Sequence, residues 1–419
     1  MSKVIVSIPI SLLISLPVAA QIVPANDGTN TQTQTNGNQT DIFGGTRSSN
    51  GANLFHSFDQ FNLAPSQIAN IQSNPALRNI FMRINGSDPS IIHGLLQVSG
   101  GQSNLFLINP SGILFGKEAR LNLPGTFSAT TATGIQFENG TLNVIGTPNY
   151  ANLNSNPTQF IFALSQPGAI ANFGQLSVRS GQSLSLIGGS VLNLGSLSAP
   201  GGQITLASVP GSQNVRLSQT GNVMSLEFQN PTESVLSNWN STTLSQLLAR
   251  GSALRDATEL TMTDDGKIQL SGSALTISNQ AGTTIASGTI AGETIQILGD
   301  RITLSSATIR ADHNGTVLIG GDVQGTGTLP RATTNVIDQQ SQIFADGGKI
   351  VVWSDQSAQF SGQAQAREGF IEISGKQQLG FAGRVDAGTS GTVLFDPENI
   401  ILRESELSAL GQETLFLKP

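Results

Sequence analysis

Six segments decide the fold when they are laid under one another: Gly266-Lys-Ile-Gln-Leu270, Gly292-Glu-Thr-Ile-Gln-Ile297, Gly315-Thr-Val-Leu-Ile319, Gly348-Lys-Ile-Val-Val352, Gly369-Phe-Ile-Glu-Ile373 and Gly391-Thr-Val-Leu-Phe395. Each opens on glycine and runs into a short aliphatic or β-branched stretch, the composition of a strand. Successive glycines lie 26, 23, 33, 21 and 22 residues apart, and the long interval holds an insertion, Gly325 to Asn335, that carries Pro330. A second element precedes four of the strands: Ile309-Arg-Ala-Asp312, Ile343-Phe-Ala-Asp346, Ala364-Gln-Ala-Arg367 and Val385-Asp-Ala-Gly388. Its fixed alanine suggests a tight inward corner. A period of this length built from short strands indicates a solenoid. The Leu-x-x-Leu-x-Leu frame of leucine-rich repeats is not present, and an antiparallel sandwich does not predict so regular a spacing. The reading is a parallel β-helix, each turn of chain stacking about 4.8 Å above the last.

Working outward, short apolar runs between Gly, Asn, Pro and Ser clusters recur from Phe43 onward, and helical periodicity is nearly absent. If roughly 350 residues formed coils, about 16 of them would make a rod of roughly 75 Å. In that geometry alternate Val, Ile, Leu and Phe side chains point inward, Ser, Thr, Gln and Asn point outward, and glycines supply corner dihedrals closed to other residues. The 19 phenylalanines against one tyrosine and two tryptophans suit a dry interior. Two segments depart from the pattern. Gln21 to Thr40, with the run Thr29 to Thr35, reads as a low-complexity, loosely ordered start. Thr243 to Leu260, with Leu244, Leu247, Leu248 and Leu254, reads as a short helical excursion packed on the rod, interrupted at Gly251-Ser252.

Charge and chemistry narrow the function. Charged residues make up 11% and the net charge is −7, against a usual charged share of about 25%, so a basic nucleic-acid surface is not expected. With no cysteine and three histidines, disulfide scaffolds, thiolate metal sites and cysteine nucleophiles are excluded. Lys3, the apolar stretch Val4 to Leu16 and the small residues Val18-Ala19-Ala20 read as an export leader cut after Ala20. The stretch is short of the roughly 20 residues that span a bilayer. No later stretch is apolar enough to span one, so the mature chain is expected to carry no transmembrane segment. An exported chain without cysteine forms no disulfide before a later translocation step, which is compatible with crossing a second membrane unfolded.

One motif is strongly specified. In Asn104-Leu-Phe-Leu-Ile-Asn-Pro-Ser-Gly-Ile-Leu-Phe-Gly116 two apolar strands flank Asn109-Pro110-Ser111-Gly112, whose Asn, Pro and Gly take the places a type I turn prefers. Together with Gly51-Ala-Asn53-Leu54-Phe55-His56-Ser57-Phe58 and Leu121-Asn-Leu-Pro-Gly-Thr-Phe-Ser-Ala-Thr-Thr-Ala132, in that order and spacing, it resembles the amino-terminal two-partner secretion domain of filamentous haemagglutinins, also called the haemagglutination activity domain. Asn109-Pro110-Ser111-Gly112-Ile113 is similar to that family's Asn-Pro-Asn-Gly-Ile signature, with Ser111 in place of the second Asn. The family's Asn-Pro-Asn-Leu signature has no clear counterpart; Asn74-Pro-Ala-Leu77 is the nearest run.

The resemblance implies an all-β, right-handed parallel β-helix with short antiparallel capping or extra-helical strands and one small helical excursion. It divides the chain into a leader (1–20), the low-complexity start (21–40), a secretion domain (41–255) and glycine-rich β-helical repeats (256–419). It further implies export to the periplasm and passage across the outer membrane through a β-barrel transporter whose POTRA domains recognise the secretion domain. The mature protein is then expected at the cell surface or released, as an adhesin with a glycan or protein receptor.

Each singled-out residue also has a plainer reading. Asn109 to Ile113 reads either as a transporter-recognition element or as a structural turn. His56, inside the Asn53 to Phe58 block, reads as a partly buried structural histidine; His93 and His313 are isolated, and no cofactor or metal is expected. Asp264-Asp265-Gly266, Asp346-Gly347-Gly348 and Asp396-Pro397-Glu398-Asn399 read as turns, since no calcium-binding nonapeptide recurs. The competing function is a carbohydrate-active β-helix enzyme, which needs clustered carboxylates on one face of neighbouring coils; with charges this sparse the expectation is a non-enzyme.

Overall fold

The computed structural model describes residues 21–217, 228–229, 241–250, 260–262, 268–270, 279–401 and 414–417; the leader expected at 1–20 lies outside them. The chain winds into a parallel β-helix with three faces. On the first face one inward column runs, in register, Leu54, Ile80, Leu105, Phe127, Leu184, Ile204, Ile295, Val317, Ile350, Ile371 and Val393, and the strand Thr414–Leu417 pairs as the rung beyond it. The second face stacks Ser90–Ile92, Ile113–Phe115, Ala169–Asn172, Ser190–Asn193, Thr283–Ala286 and Arg301–Leu304, and continues to Ile400–Ile401. The third begins at Gln39–Gly44 and Ile68–Gln72 and ends at Arg384–Asp386. The inward side chains of all three faces merge in one apolar cluster running the length of the rod. Burial of these columns, at about 25 cal/mol per Å² of apolar surface, is the main stabilising term.

Five of the six glycine-led strands are successive rungs of the first face, and the alanine-bearing element is the third face of the same coils, with Ala311, Ala345, Ala366 and Ala387 buried at its corner. Four of these lead glycines, Gly315, Gly348, Gly369 and Gly391, are required by close approach rather than by a positive φ. A Cβ on Gly348 would lie 1.9 Å from the Gly315 carbonyl oxygen, and one on Gly369 2.3 Å from that of Gly348. The sixth strand departs from expectation: Ile268–Leu270 pairs antiparallel with Leu260–Met262 in a separate two-stranded sheet. Only five residues separate those two strands, a hairpin-length connection too short for a coil.

Gln21 to Thr40 is ordered, not loose. Ile22–Pro24 pairs antiparallel with Asn53–Phe61, and Thr31–Asn36 forms a hairpin with Gln39–Gly44, so the segment closes the amino-terminal end of the rod. Its Thr/Gln side chains are polar, yet alternation suffices for a strand whose edge is paired. Twelve rungs are counted on the first face among the described residues, about 55 Å at this spacing, fewer than the 16 expected from length because long segments leave the coil. One is a five-stranded antiparallel side sheet made of Gly140–Asn143, Gly134–Phe137, Gln159–Phe162, Gln213–Arg216 and Phe228–Gln229. Another is the helical excursion. It appears as α1, Leu244–Arg250, while 251–259, with Leu254, lies outside the described residues and Leu260 opens a strand.

Outward positions of the first face are not solvated as the alternation suggested. Phe55, Phe81 and Phe106 stack there, ring centroids 5.2 and 4.7 Å apart, under Phe137, Phe160 and Phe162 of the side sheet. Farther along, Ser128, Ser185, Thr205 and Gln296 are buried too. Beyond them the insertion after Ile319 folds over Leu318, Val351 and Trp353 with its Leu329. The third face does meet water: Asn122, Ser177, Thr289, Arg310, Gln342 and Arg384 are exposed.

Candidate functional site

Asn109 to Ile113 forms the corner between the first and second faces of the third rung, and it is buried. The Asn109 side chain accepts the Ser111 N–H (2.9 Å) and donates to Asp88 O (3.1 Å) and Ser90 Oγ (3.0 Å), while the residue's backbone carbonyl accepts the Gly112 N–H (3.1 Å). The asparagine thus closes the turn locally and ties it to the preceding coil. Gly112 holds φ of +125°, and an added Cβ there would meet the Leu247 side chain. Above the corner, Thr242 N–H donates to Ser111 O (3.0 Å), and Leu244, Leu247 and Leu248 of α1 pack on Leu114, Ala169, Ala171, Leu192 and Ile285. In the folded chain no side chain of the motif is presented to solvent.

The Asn53 to Phe58 block is the first rung. Leu54, His56 and Phe58 face the rod interior, Phe55 and Ser57 the side sheet. His56 is buried beside Phe58 under Gly45, whose added Cβ would lie 2.9 Å from the ring. Neither of its nitrogens has a hydrogen-bond partner, and burial pushes its pKa down to about 4. It is therefore neutral in the folded chain across ordinary pH.

Three features carry more of this region than the sequence reading assigned them. Arg83, 1% exposed on the second rung, donates to Ser57 Oγ, to the carbonyls of Asn143, Val144 and Gly146, and to Asp27 Oδ2 at 2.6 Å. It fastens the amino-terminal cap, the rod and the side sheet together. Burial alone would raise the Asp27 pKa, but hydrogen bonds from Ser57 and Thr29 and the Arg83 charge outweigh that and lower it. An asparagine ladder runs Asn53, Asn79, Asn104 at the strand starts, with amide contacts of 2.9 and 3.0 Å, and Asn53 also donates to the carbonyls of Leu153 and Ser155. A second ladder on the third face joins Asp41, Asn70, Gln97 and Asn122. A spacing of 26 or 25 residues between Asn53, Asn79 and Asn104, equal to the coil length, is the signal that could have revealed the first ladder.

Carboxylates are dispersed into structural roles. Glu372 is buried under the insertion and accepts the Gln324 N–H on both oxygens; burial pushes its pKa up to about 7, against the Gln324 and Ser374 hydrogen bonds and with the help of Asp396. Asp396 itself takes the Gln324 side-chain amide at 3.0 Å, so this turn is tied down and not simply exposed. Asp338 accepts from Ser305 and Ser341, and Asp346 from Gln365 and the Arg367 N–H. Among the described residues no group of three His, Asp or Glu side chains could hold a metal ion, and no helix is long and apolar enough to cross a membrane.

Comparison with solved structures gives the HMW1 secretion domain from Haemophilus influenzae, at 22% identity and a TM-score of 0.45, covering 90% of this chain and 99% of that one. A search of curated proteins finds no match. The model of the TPS secretion domain matches residues 20–270, which takes in the amino-terminal cap, the buried Asn109 corner, the side sheet and α1. The chain belongs to the TPS secretion domain family, the amino-terminal domain of two-partner secreted proteins.

Proposed function

We propose that this chain is the exported member of a two-partner pair. A leader takes it to the periplasm, a POTRA-bearing β-barrel transporter recognises its amino-terminal domain, and the rod then serves at the surface or in the medium as a haemagglutinin-like adhesin. The observation that supports this most is the family match over residues 20–270 on a chain that carries no cysteine. A disulfide-free thread can pass a pore and then gain its stability rung by rung, because each coil needs only its neighbour. The polar third face, where Asn122, Ser177, Thr289 and Gln342 are exposed among a few charged residues such as Arg310 and Arg384, suits adhesion through hydrogen bonds to a glycan or protein. The described residues give the carbohydrate-active alternative no support, since the one fully buried carboxylate, Glu372, is shut under the insertion and Asp338 and Asp346 are engaged in turns. The test is expression with and without a cognate two-partner transporter. Accumulation in the medium or on the surface only in its presence is expected; equal extracellular levels would overturn the reading.

A further inference from the structure

A turn accounts for Asp396-Pro397 in the sequence, but not for what the fold sets around it. The bond directly follows the strand Thr392–Phe395 and joins a half-buried aspartate to a buried proline. Both flanks are pinned. On one side the Asp396 N–H donates to Ser374 Oγ at 3.1 Å, and Asp396 Oδ2 accepts the Gln324 side-chain amide at 3.0 Å. On the other, the Glu398 N–H donates to Lys376 O at 2.7 Å and the Asn399 amide to Gln377 O at 3.1 Å. The bond is held between fixed points of the preceding coil and the insertion.

A second carboxyl group shares these partners. Glu372 accepts the Gln324 N–H on both oxygens and is hydrogen-bonded to Ser374, the residue that receives the Asp396 N–H. Burial raises the Glu372 pKa to about 7; the Asp396 charge pushes the same way and Lys349 opposes it. The other charged groups of the insertion and its bed are turned elsewhere, Asp322 onto the Leu329 N–H and Asp355 onto Arg331. Two neighbouring carboxyl groups in unlike surroundings, one closed off from water and one half open to it, can take opposite parts in proton transfer.

An Asp–Pro bond also suits cleavage from within. The carboxylate can close a small ring on its own main-chain carbonyl, an attack for which the chain itself holds the reactants together. The proline nitrogen belongs to a tertiary amide, accepts a proton more readily than an ordinary peptide nitrogen, and departs as a secondary amine.

We propose that the chain cuts itself once between Asp396 and Pro397. Asp396 Oδ1 attacks the Asp396 carbonyl carbon while Gln324 holds Oδ2. The bond to Pro397 breaks as its nitrogen takes the proton of the Glu372 carboxyl, leaving a cyclic anhydride on Asp396. One water opens the anhydride to two carboxyl groups, and the proton this releases restores Glu372. The cut separates the strands Ile400–Ile401 and Thr414–Leu417 from the covalent thread of the rod. It is independent of the adhesin reading above.

The test is intact-mass spectrometry of the full mature chain held at about pH 5.5, folded and in urea. One fragment ending at Asp396 and another beginning at Pro397 are expected, forming at least tenfold faster in the folded chain. The rate should rise as pH falls through about 7 and decline again once Asp396 is protonated. Asp396→Ala should abolish the cut. Glu372→Gln keeps an acceptor for the Gln324 N–H but carries no acid, and it should slow the cut at least tenfold and remove the rise near pH 7. Circular dichroism confirms that each variant is folded. Absence of the two fragments, equal rates with and without urea, or an unchanged pH profile in folded Glu372→Gln would each overturn the proposal.

Discussion

Arg83 is tolerated at 1% exposure because its guanidinium is surrounded by partners: one carboxylate, one hydroxyl and three backbone carbonyls. Those carbonyls belong to the end of a side-sheet strand, where the chain leaves regular pairing and its acceptors need donors. Removing the arginine leaves Asp27 and three carbonyls short of partners in a closed space. Arg83→Met is therefore expected to cost about 3–5 kcal/mol, the range for breaking a buried ion pair from one side. A fall in the urea midpoint together with faster hydrogen exchange at Asn143 to Gly146 would show it; an unchanged midpoint would refute the clamp. Arg83→Lys should recover little, because one ammonium cannot span the same fork of acceptors. None of this was legible from sequence. A lone arginine in Asn79-Ile-Phe-Met-Arg-Ile84 reads as an outward surface residue by alternation, and alternation fixes which side of a sheet a residue takes without fixing what covers that side. The same limit hid the stacked role of Phe55, Phe81 and Phe106 and the burial of the Asn109 corner, since both depend on segments far away in the chain.

At the scale of the element, the glycine-led strand was legible because it repeats. Five copies with one glycine and one inward alternation each leave few arrangements besides stacking. What the repeat did not reveal was the reason for the glycine. At Gly348 an added methyl group would lie 1.9 Å from the Gly315 carbonyl oxygen of the coil before, and that atom is backbone and cannot step aside. Gly348→Ala should thus force two rungs apart locally and destabilise by more than about 2 kcal/mol, whereas Gln342→Ala, on an exposed outward position of the third face, should stay within about 0.5 kcal/mol. Equal thermal shifts for the two variants would show that close approach is not what the glycine provides. The misread copy at Gly266 follows the same logic. A glycine before a short apolar strand is necessary for a rung but not sufficient, and a connection of five residues to the strand before it leads to a hairpin first.

At the scale of the molecule, two buried titratable groups stand on the first and the tenth of the twelve described rungs and pull in opposite directions. His56 is held near pKa 4 against an ordinary 6.5, so the unfolded chain takes the proton first. Its contribution to stability is whole above pH 6.5 and is lost as pH falls toward 4. Glu372 is raised to about 7 from 4.5, so the folded chain takes the proton first; its contribution is whole below pH 4.5 and is lost as pH rises through 7. Each shift corresponds to about 3 kcal/mol. In one cooperative unit the two would offset each other between pH 4.5 and 6.5 and stability would look flat. A solenoid is not bound to behave so, because each rung touches only its neighbours. Taking the chain from pH 7.5 to 5 should therefore loosen the amino-terminal end and tighten the insertion at once. After correction for intrinsic rates, hydrogen exchange should accelerate at the His56 and Phe58 amides and slow at the Gln324 N–H that Glu372 accepts. His56→Leu should abolish the first change alone. Glu372→Gln should abolish the second and raise stability at pH 8. A uniform change along the rod would mean that its rungs melt as one, and that the local account of each end is wrong.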